Sequence, residues 1–259
     1  MQYFVVDAFA DRLFSGNSAG VCLLDSWPDD AVMQSIAMEN NLSETAFLVR
    51  ESSGAYGLRW FTPETEIDLC GHATLASAYV LMNEVHAVSG TVEFHTKSGT
   101  LTVSQSDDVF TMDFPSRPPV PCEVPPGLEQ ALGTPVLETH ASRDLLVLLE
   151  SEDAIRSLRP DFSQLKQHKD AFAIIVTARG TDCDFVSRFF APGAGIPEDP
   201  VTGSSHSTLI PFWHTQLGRN QMTARQLSAR GGTLMCEYCG DRVKIGGTAV
   251  CYLRGVINL

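Results

Sequence analysis

Positive charge is scarce in this sequence. Its 259 residues include 18 Lys and Arg against 31 Asp and Glu, which gives a formal net charge of -13. A protein that binds nucleic acid needs a basic surface to neutralise phosphates, and anionic membranes likewise attract basic segments. The composition therefore argues against both as partners.

Long apolar runs are also missing. The longest strongly apolar stretches, at 145–149 and 171–176, are far shorter than the roughly 18 residues that a membrane-spanning helix needs. The N-terminus has no basic segment, and Asp7 interrupts its apolar run, so no secretory signal is expected. Apolar residues make up 44% and charged residues 19%, which is typical of a globular protein. We expect a cytoplasmic protein with no membrane partner.

The cysteines lack the spacing of a disulfide or zinc framework. There are seven, an odd number, scattered through a chain large enough to fold without disulfides, and this favours reduced thiols in the cytosol. Cys236 and Cys239 have the spacing of half a zinc site, but no second Cys or His pair completes it. A phosphate-binding loop and a dinucleotide fingerprint are absent as well. No metal site is expected.

The sequence does contain a degraded internal duplication. Short matches recur in the same order, at offsets that rise from 125 to 133 residues: Leu23-Leu24-Asp25-Ser26 with Leu148-Leu149-Glu150-Ser151, Ala46-Phe47 with Ala171-Phe172, Phe61-Thr62-Pro63 with Phe190-Ala191-Pro192, Gly71 with Gly203, and Gly99-Thr100-Leu101 with Gly232-Thr233-Leu234. The rising offset indicates small insertions in the second copy, so we predict two homologous domains. Their bounds are 1–117 and 128–259, with a proline-rich linker at 118–127 and a last strand that is a candidate to return to the first domain.

Each copy contains a helix-length apolar segment among short strand-like runs. His72–Val85 has almost no polar face, which is typical of a helix buried on all sides. The second copy offers Ser204–Leu217, although Pro211 should kink this helix or displace its start. Many short strands and one engulfed helix predict a rolled sheet wrapped around a central helix. The predicted fold class is α+β, with one such β-roll in each domain.

A glycine and small polar residues precede both central helices. The first copy reads Cys70-Gly71-His72 and the second reads Thr202-Gly203-Ser204. Glycine allows close backbone approach, and the unpaired N–H groups at a helix start favour an anion. The pattern predicts a ligand that carries a carboxylate or a similar small anion.

Several of these motifs together resemble one known family. The sequence is similar to phenazine biosynthesis PhzF-like proteins in Val6-Asp7-Ala8-Phe9, Gly16-Asn17-Ser18-Ala19-Gly20, Asn41-Leu42-Ser43-Glu44-Thr45-Ala46-Phe47, Cys70-Gly71-His72-Ala73-Thr74 and Asp199-Pro200-Val201-Thr202-Gly203-Ser204. The resemblance runs almost from end to end. It implies the diaminopimelate epimerase-like fold, with an active site between two similar domains. It also implies a homodimer and an isomerase that moves a proton within a small carboxylated substrate without a cofactor. Ser18 stands where proline is common, which puts only the local loop shape in doubt.

The resemblance assigns roles to particular residues. Glu44 corresponds to the general acid/base, and His72, Asp199 and Ser204 correspond to the other catalytic residues. Gly71 supplies backbone contacts, and the remaining candidate substrate-binding residues are Cys70, Ala73, Thr202, Gly203 and Ser205. At the offset of 125, Glu44 corresponds to Lys169, so the second copy is expected to lack an equivalent carboxylate.

Two alternative functions stay open. Epimerases and racemases of this fold use two cysteines, one before each helix, and here Cys70 occupies the first position while Thr202 occupies the second. A hydroxyl cannot replace a thiolate, because the pKa of a thiol lies far lower. An amino-acid epimerase or racemase is therefore the weaker reading. The other alternative is a non-catalytic protein that binds small carboxylates.

Overall fold

The computed structural model describes residues 1–259, and the chain divides into two units. The first consists of Met1–Asp113 together with Gly246–Leu259, and the second of Phe114–Ile245. No helix in the chain has both the length and the apolar character needed to cross a membrane.

The first unit is built from short strands and two helices. Its elements are β1 (Gln2–Ala8), β2 (Asn17–Leu24), α1 (Asp30–Asn40), β3 (Glu44–Arg50), β4 (Tyr56–Phe61), β5 (Glu66–Ile67), α2 (Gly71–Tyr79) with a π-helical turn at Val80–Glu84, β6 (Thr91–Thr96), β7 (Gly99–Ser106) and β8 (Val109–Pro115). Strands such as β1 and β3 are rich in β-branched and aromatic residues, which favour an extended backbone.

The second unit has more and shorter helices. Its elements are β9 (Val120–Cys122), α3 (Leu128–Leu132), β10 (Glu138–Ala141), β11 (Leu145–Leu148), α4 (Glu152–Ser157), α5 (Phe162–Leu165), β12 (Ile174–Arg179), β13 (Phe185–Ala191), a 3-10 turn at Pro192–Ala194, β14 (Ile196–Asp199), α6 (His206–Leu217), β15 (Gln221–Gln226), β16 (Gly232–Cys239) and β17 (Arg242–Gly247). The last strand, β18 (Ala249–Val256), pairs with β1 of the first unit.

The two units repeat one pattern of strand pairing, as the duplication predicts. In the first, β1–β2 is antiparallel, β2–β3 parallel and β3–β4 antiparallel, and β4 then pairs antiparallel with β5 and parallel with β6. In the second, β10–β11, β11–β12, β12–β13, β13–β14 and β13–β15 pair in the same senses and in the same order.

The pairing corrects one detail of the repeat alignment. Thr45 pairs with Phe61 across β3–β4, and Ile174 pairs with Phe190 across β12–β13. Because Phe61 and Phe190 are equivalent, the counterpart of Glu44 is Ala173. The match of Ala46-Phe47 with Ala171-Phe172, and hence of Glu44 with Lys169, is wrong by four residues. The insertion lies before β12, and a two-residue match is too short to locate it. The second copy still has no carboxylate here.

The segment at 118–127 is more than the stiff, proline-rich linker that the sequence predicts. It lies in the second unit and contains β9, which pairs antiparallel with β10. Pro121 lies within this short strand and has no N–H to donate, which suits a strand at the edge of its pairing with β10. The segment therefore forms part of the sheet of the second unit and does more than connect the two units.

The central helix of the first unit is buried all round, as its composition predicts. Residues Gly71–Ala78 of α2 are all buried, and the helix packs against β1, β2, β3, β7 and β18. A helix without a polar face gains most by being enclosed in this way. The rolled sheet fixes the position of the start of α2, where the candidate site residues lie.

The equivalent helix α6 accommodates a proline in its interior. The helix begins at His206, two residues later than the sequence predicts, and Pro211 lies within it. Pro211 cannot donate to the carbonyl of Ser207 four residues earlier. That carbonyl instead accepts the backbone N–H of Arg117 at 2.8 Å. The bond that the helix loses is thus replaced by one that holds the segment entering the second unit.

Candidate functional site

Glu44 begins strand β3 and is buried. Its backbone lies opposite Ala19 in the parallel β2–β3 ladder, and only 7% of the residue is exposed. A carboxylate is costly to bury without a partner, because water no longer solvates its charge. The identity of that partner decides what Glu44 can do.

The partner is His72, in the first turn of α2. Nε2 of His72 lies 3.0 Å from Oε2 of Glu44, and both side chains are buried. Helix α2 positions the ring, because the hydroxyl and backbone N–H of Thr74 both bond to the carbonyl of Cys70 and fix the first turn. A proton can therefore pass between a carboxylate and an imidazole that are held together away from bulk water.

Cys70 lies on the other side of the same ring. Its Sγ is 3.5 Å from Nδ1 of His72, and the residue is buried just before α2. Burial, with a further contribution from Glu44, raises the pKa of the Cys70 thiol. This shift works against the thiolate that a two-cysteine epimerase would need. Gly71 and Ala73 are likewise buried in this first turn.

His72 has a raised pKa. Burial by itself lowers it, but the neighbouring acidic groups of Cys70 and Glu44 oppose burial and bring the pKa well above its ordinary value. An opposite charge within hydrogen-bond distance stabilises the imidazolium. At neutral pH the charged form of His72 is therefore favoured, with its Nε2 3.0 Å from the Glu44 carboxyl group.

The sequence analysis assigned no role to Asn17, yet its amide lies 3.3 Å from Nδ1 of His72. It begins β2 and is 1% exposed. An amide can donate to a neutral Nδ1 or, turned over, accept from a protonated one, so it can support either state of the ring. The sequence signal that could have identified Asn17 is the Gly16-Asn17 pair, because a glycine beside a polar residue often marks a tight turn at a site. Gly16 has φ +69°, and a Cβ there would meet the Ala8 carbonyl oxygen at 2.2 Å.

Ser18 stands where proline is common in the family that the sequence resembles, and it makes a contact that proline could not make. Its hydroxyl donates to the carboxylate of Asp7, which also accepts the backbone N–H of Phe14 at 3.1 Å. A proline at position 18 would lack this hydroxyl. The loop before Asn17 is thereby tied to β1 through a buried carboxylate.

Asn17→Asp is expected to raise the pKa of His72 further. A carboxylate beside Nδ1 favours the imidazolium and should shift the titration upward by about one pH unit or more. The shift is measured from the 15N chemical shifts of the ring as the pH is varied. Asn40→Asp is the matched control, because the Asn40 amide contacts Thr45 and not His72. Equal titration of His72 in both variants would show that position 17 does not act on the ring.

Three residues of this site could also be considered as metal ligands: Glu44, Cys70 and His72. One ligand atom from each lies within 4.8 Å of the others. The Cys70 sulfur and the Glu44 oxygen, however, approach opposite nitrogens of the imidazole. An ion on either nitrogen would have to draw one of these side chains from its present contact. The arrangement suits proton transfer along the ring better than chelation.

The second unit brings its own candidate residues together in the turn before α6. The hydroxyl of Thr202 donates to the carboxylate of Asp199, and the hydroxyl of Ser205 donates to the carbonyl of Thr202 at 2.8 Å. Gly203 is buried, whereas Ser204 is half-buried. The turn therefore has a fixed interior, with the Ser204 side chain nearer to solvent.

Gln226 organises this turn and was missed by the sequence analysis. Its Oε1 accepts the N–H of Thr202 at 2.8 Å, and its Nε2 donates to the carbonyl of Asp199 at 2.7 Å and to the Thr202 hydroxyl at 3.2 Å. The residue is 1% exposed and ends β15. Nothing in the local sequence around residue 226 marks it, because its partners lie more than twenty residues away.

His206 is a structural residue. It is fully buried, and Nδ1 lies 2.9 Å from the carbonyl of Thr202, so that nitrogen donates to the turn. Burial lowers the pKa of His206 to about 4. The ring is therefore neutral near pH 7 and holds the start of α6 against the turn.

Acid should destabilise the protein partly through His206. As the pH falls from 6.5 towards 4, the unfolded chain takes up a proton at this residue and the folded chain does not, which costs about 3 kcal/mol by pH 4. His206→Asn keeps a donor for Thr202 but does not titrate. Denaturant unfolding at pH 7 and pH 4 should show a smaller loss of stability in the variant. Equal losses of unfolding free energy in the wild-type protein and in His206→Asn would contradict the lowered pKa of His206.

The similarity of this chain to known proteins extends over almost its whole length. The profile of the phenazine biosynthesis-like protein family (PhzC-PhzF) matches residues 6–255. A Pseudomonas aeruginosa protein named an uncharacterized isomerase is 49% identical over 259 residues, covering 100% of this chain and 99% of that protein. The crystal structure of a PhzF-family phenazine biosynthesis protein from Enterococcus faecalis is similar with a TM-score of 0.98 and 48% identity, covering 100% of this chain and 99% of the other.

A more distant likeness concerns the fold alone. A probable proline racemase from Agrobacterium radiobacter K84 matches with a TM-score of 0.68 at 11% identity, covering 100% of this chain and 93% of the other. Together with the closer structure, this likeness confirms the predicted mixed α and β fold of the epimerase type.

Proposed function

This chain belongs to the phenazine biosynthesis-like PhzC-PhzF family, and from that premise we propose that it is an isomerase that moves a proton within a small carboxylated substrate. Glu44 is the acid/base group. The observation that carries the proposal is the buried contact of 3.0 Å between Oε2 of Glu44 and Nε2 of His72.

The proposed step is a balanced proton shift. The carboxylate of Glu44 takes a proton from one carbon of the substrate and returns a proton to another carbon, while the double bond moves between them. No atom is gained or lost overall, so no cofactor is needed. The imidazolium of His72 stabilises the carboxylate before the transfer and can share the proton afterwards.

For the turn of the second unit we propose a role in binding the substrate carboxylate. The half-buried hydroxyl of Ser204 and the backbone N–H groups of Gly203 and Ser204, which precede α6, are suitable donors. Asp199 is held by the hydroxyl of Thr202 and is proposed as a further polar contact for the substrate. In a chain with a net charge of -13, such local donors would allow an anion to bind despite the surrounding charge.

Deuterium wash-in tests the proposal. Small unsaturated and amino carboxylates are incubated with the protein in deuterated water and analysed by mass spectrometry. A genuine substrate should gain one deuterium, and Cys70→Ala should retain the exchange. Loss of exchange in Cys70→Ala, at the α-carbon of an amino acid, would instead support an epimerase. Tight binding without any exchange would support a carboxylate-binding protein.

A further inference from the structure

We propose a second ligand site in this protein, for a small carboxylate with a flat apolar body, on the face of the second unit beneath α5. A cavity of about 430 Å³ opens there. That volume is within the range of small-molecule pockets. Its lining includes Leu165, Phe172, Ile174 and Phe190, together with Lys166 and Lys169. None of the lining residues belongs to the first unit, which contains Glu44.

The cavity lies where the second copy replaces one long helix with two short ones. In the first unit, α1 runs for 11 residues and packs Met33, Ile36 and Ala37 against Phe47 and Phe61. In the second unit the equivalent connection is broken into α4, of six residues, and α5, of four.

The residues at the bottom of the cavity have counterparts in the first unit. Asn40, at the end of α1, bonds to Thr45 at 3.3 Å and closes the first unit at this point. The counterpart of Thr45 is Ile174, and that of Phe61 is Phe190. Both counterparts line the cavity and are buried, because Phe162 and Leu165 of α5 pack in the same apolar cluster. The bottom of the cavity therefore corresponds to the face that α1 covers in the first unit.

Positive charge is concentrated at the mouth of the cavity, which is unusual in this acidic chain. Only four lysines occur in the sequence, and Lys166 and Lys169 are two of them. Both are exposed at the cavity, and His168 lies between them in the lining. Two ammonium groups above an apolar floor favour a ligand with an anionic end and an apolar body. The net charge of -13 makes this local cluster a more selective feature than it would be in a basic protein.

The rim also holds an aromatic ring in place. Phe172 is 53% exposed, although large apolar side chains are usually covered. The guanidinium of Arg143 lies 4.9 Å from its ring centroid, and Arg143 is itself paired with Asp144 at 3.0 Å. A planar ligand can stack on a ring that is already oriented in this way. This is the reason for choosing an aromatic carboxylate as the probe.

Benzoate is the probe, and NMR of the full-length protein locates it. We expect saturable shifts in the signals of Ile174 and Ala194, both of which line the cavity. Benzamide, which lacks the charge, and acetate, which lacks the ring, should bind at least about tenfold more weakly. Ala194→Trp fills the cavity without removing a charge and should abolish the benzoate-induced shift of Ile174.

Paired lysine variants provide the matched control. Lys166→Gln/Lys169→Gln should raise the dissociation constant of benzoate about tenfold. Lys97→Gln/Lys244→Gln removes the same charge elsewhere and should change it less than twofold. Equal weakening by both pairs, or equal binding of benzamide and benzoate, would overturn the proposal. So would benzoate-induced shifts confined to Glu44 and His72, whereas loss of proton exchange in Glu44 variants would leave it intact.

Discussion

Glu44→Gln is expected to slow solvent exchange of the substrate proton by about 10² to 10⁴-fold. Glutamine nearly preserves the shape of the side chain, and its carbonyl oxygen can still accept a bond from Nε2 of His72. It cannot accept and return a proton in the working pH range. The rate is measured as deuterium incorporated per enzyme per second, once the wash-in screen has identified a substrate.

The control is Glu64→Gln, the same chemical change on an exposed loop. It should exchange at the wild-type rate. Unchanged thermal unfolding of Glu44→Gln would show that the site remains folded while its activity is lost. A wild-type exchange rate in Glu44→Gln would rule out the proposed mechanism.

Glu198→Ala is expected to destabilise the protein by about 3 kcal/mol. Arg188 is 8% exposed and binds Glu198 through two bonds of 2.7 and 2.9 Å. It also donates to the carbonyls of Ile155 and Leu158. Removing Glu198 leaves a buried guanidinium without a counter-charge, which costs far more than the loss of an exposed pair. Urea unfolding followed by circular dichroism measures the difference.

Arg156→Ala provides the comparison. Arg156 pairs with Glu152 at 2.5 Å on the surface of α4, with a spacing of four residues. Because the Arg156 side chain is 52% exposed and Glu152 keeps the backbone N–H of Thr181 at 2.8 Å, loss of this pair should cost less than about 0.5 kcal/mol. Similar losses in the two variants would mean that the burial of Arg188 adds nothing to the strength of its pair.

Features that depend on local pattern were predictable from the sequence. The apolar composition of residues 72–85 predicts an enclosed helix, and α2 with its π-helical turn is enclosed. The helix starting near Asp30 likewise buries Met33, Ile36 and Ala37 on one face, as their spacing indicates. Periodicity reports which face of an element is covered, and this is enough to obtain most of the elements.

Contacts between distant polar residues were not predictable from such patterns. Glu44 and His72 are 28 positions apart, and only the family resemblance pointed to both. Asn17 and Gln226 were missed because an amide side chain has the same local pattern whether it binds water or a buried partner. The false match of Glu44 with Lys169 has a related cause, since strand pairing, and not residue similarity, fixes the register of the two copies.

The pairing of β18 with β1 has a consequence for the order of events during synthesis. Strand β1 lies between β2 and β18, and its second partner is made only after the whole second unit. While the ribosome is still translating the second unit, one edge of β1 is unpaired in the nascent chain. Unpaired strand edges promote aggregation, so this edge is a place where a chaperone would act. The part of the protein that is translated first is thus the part that is completed last.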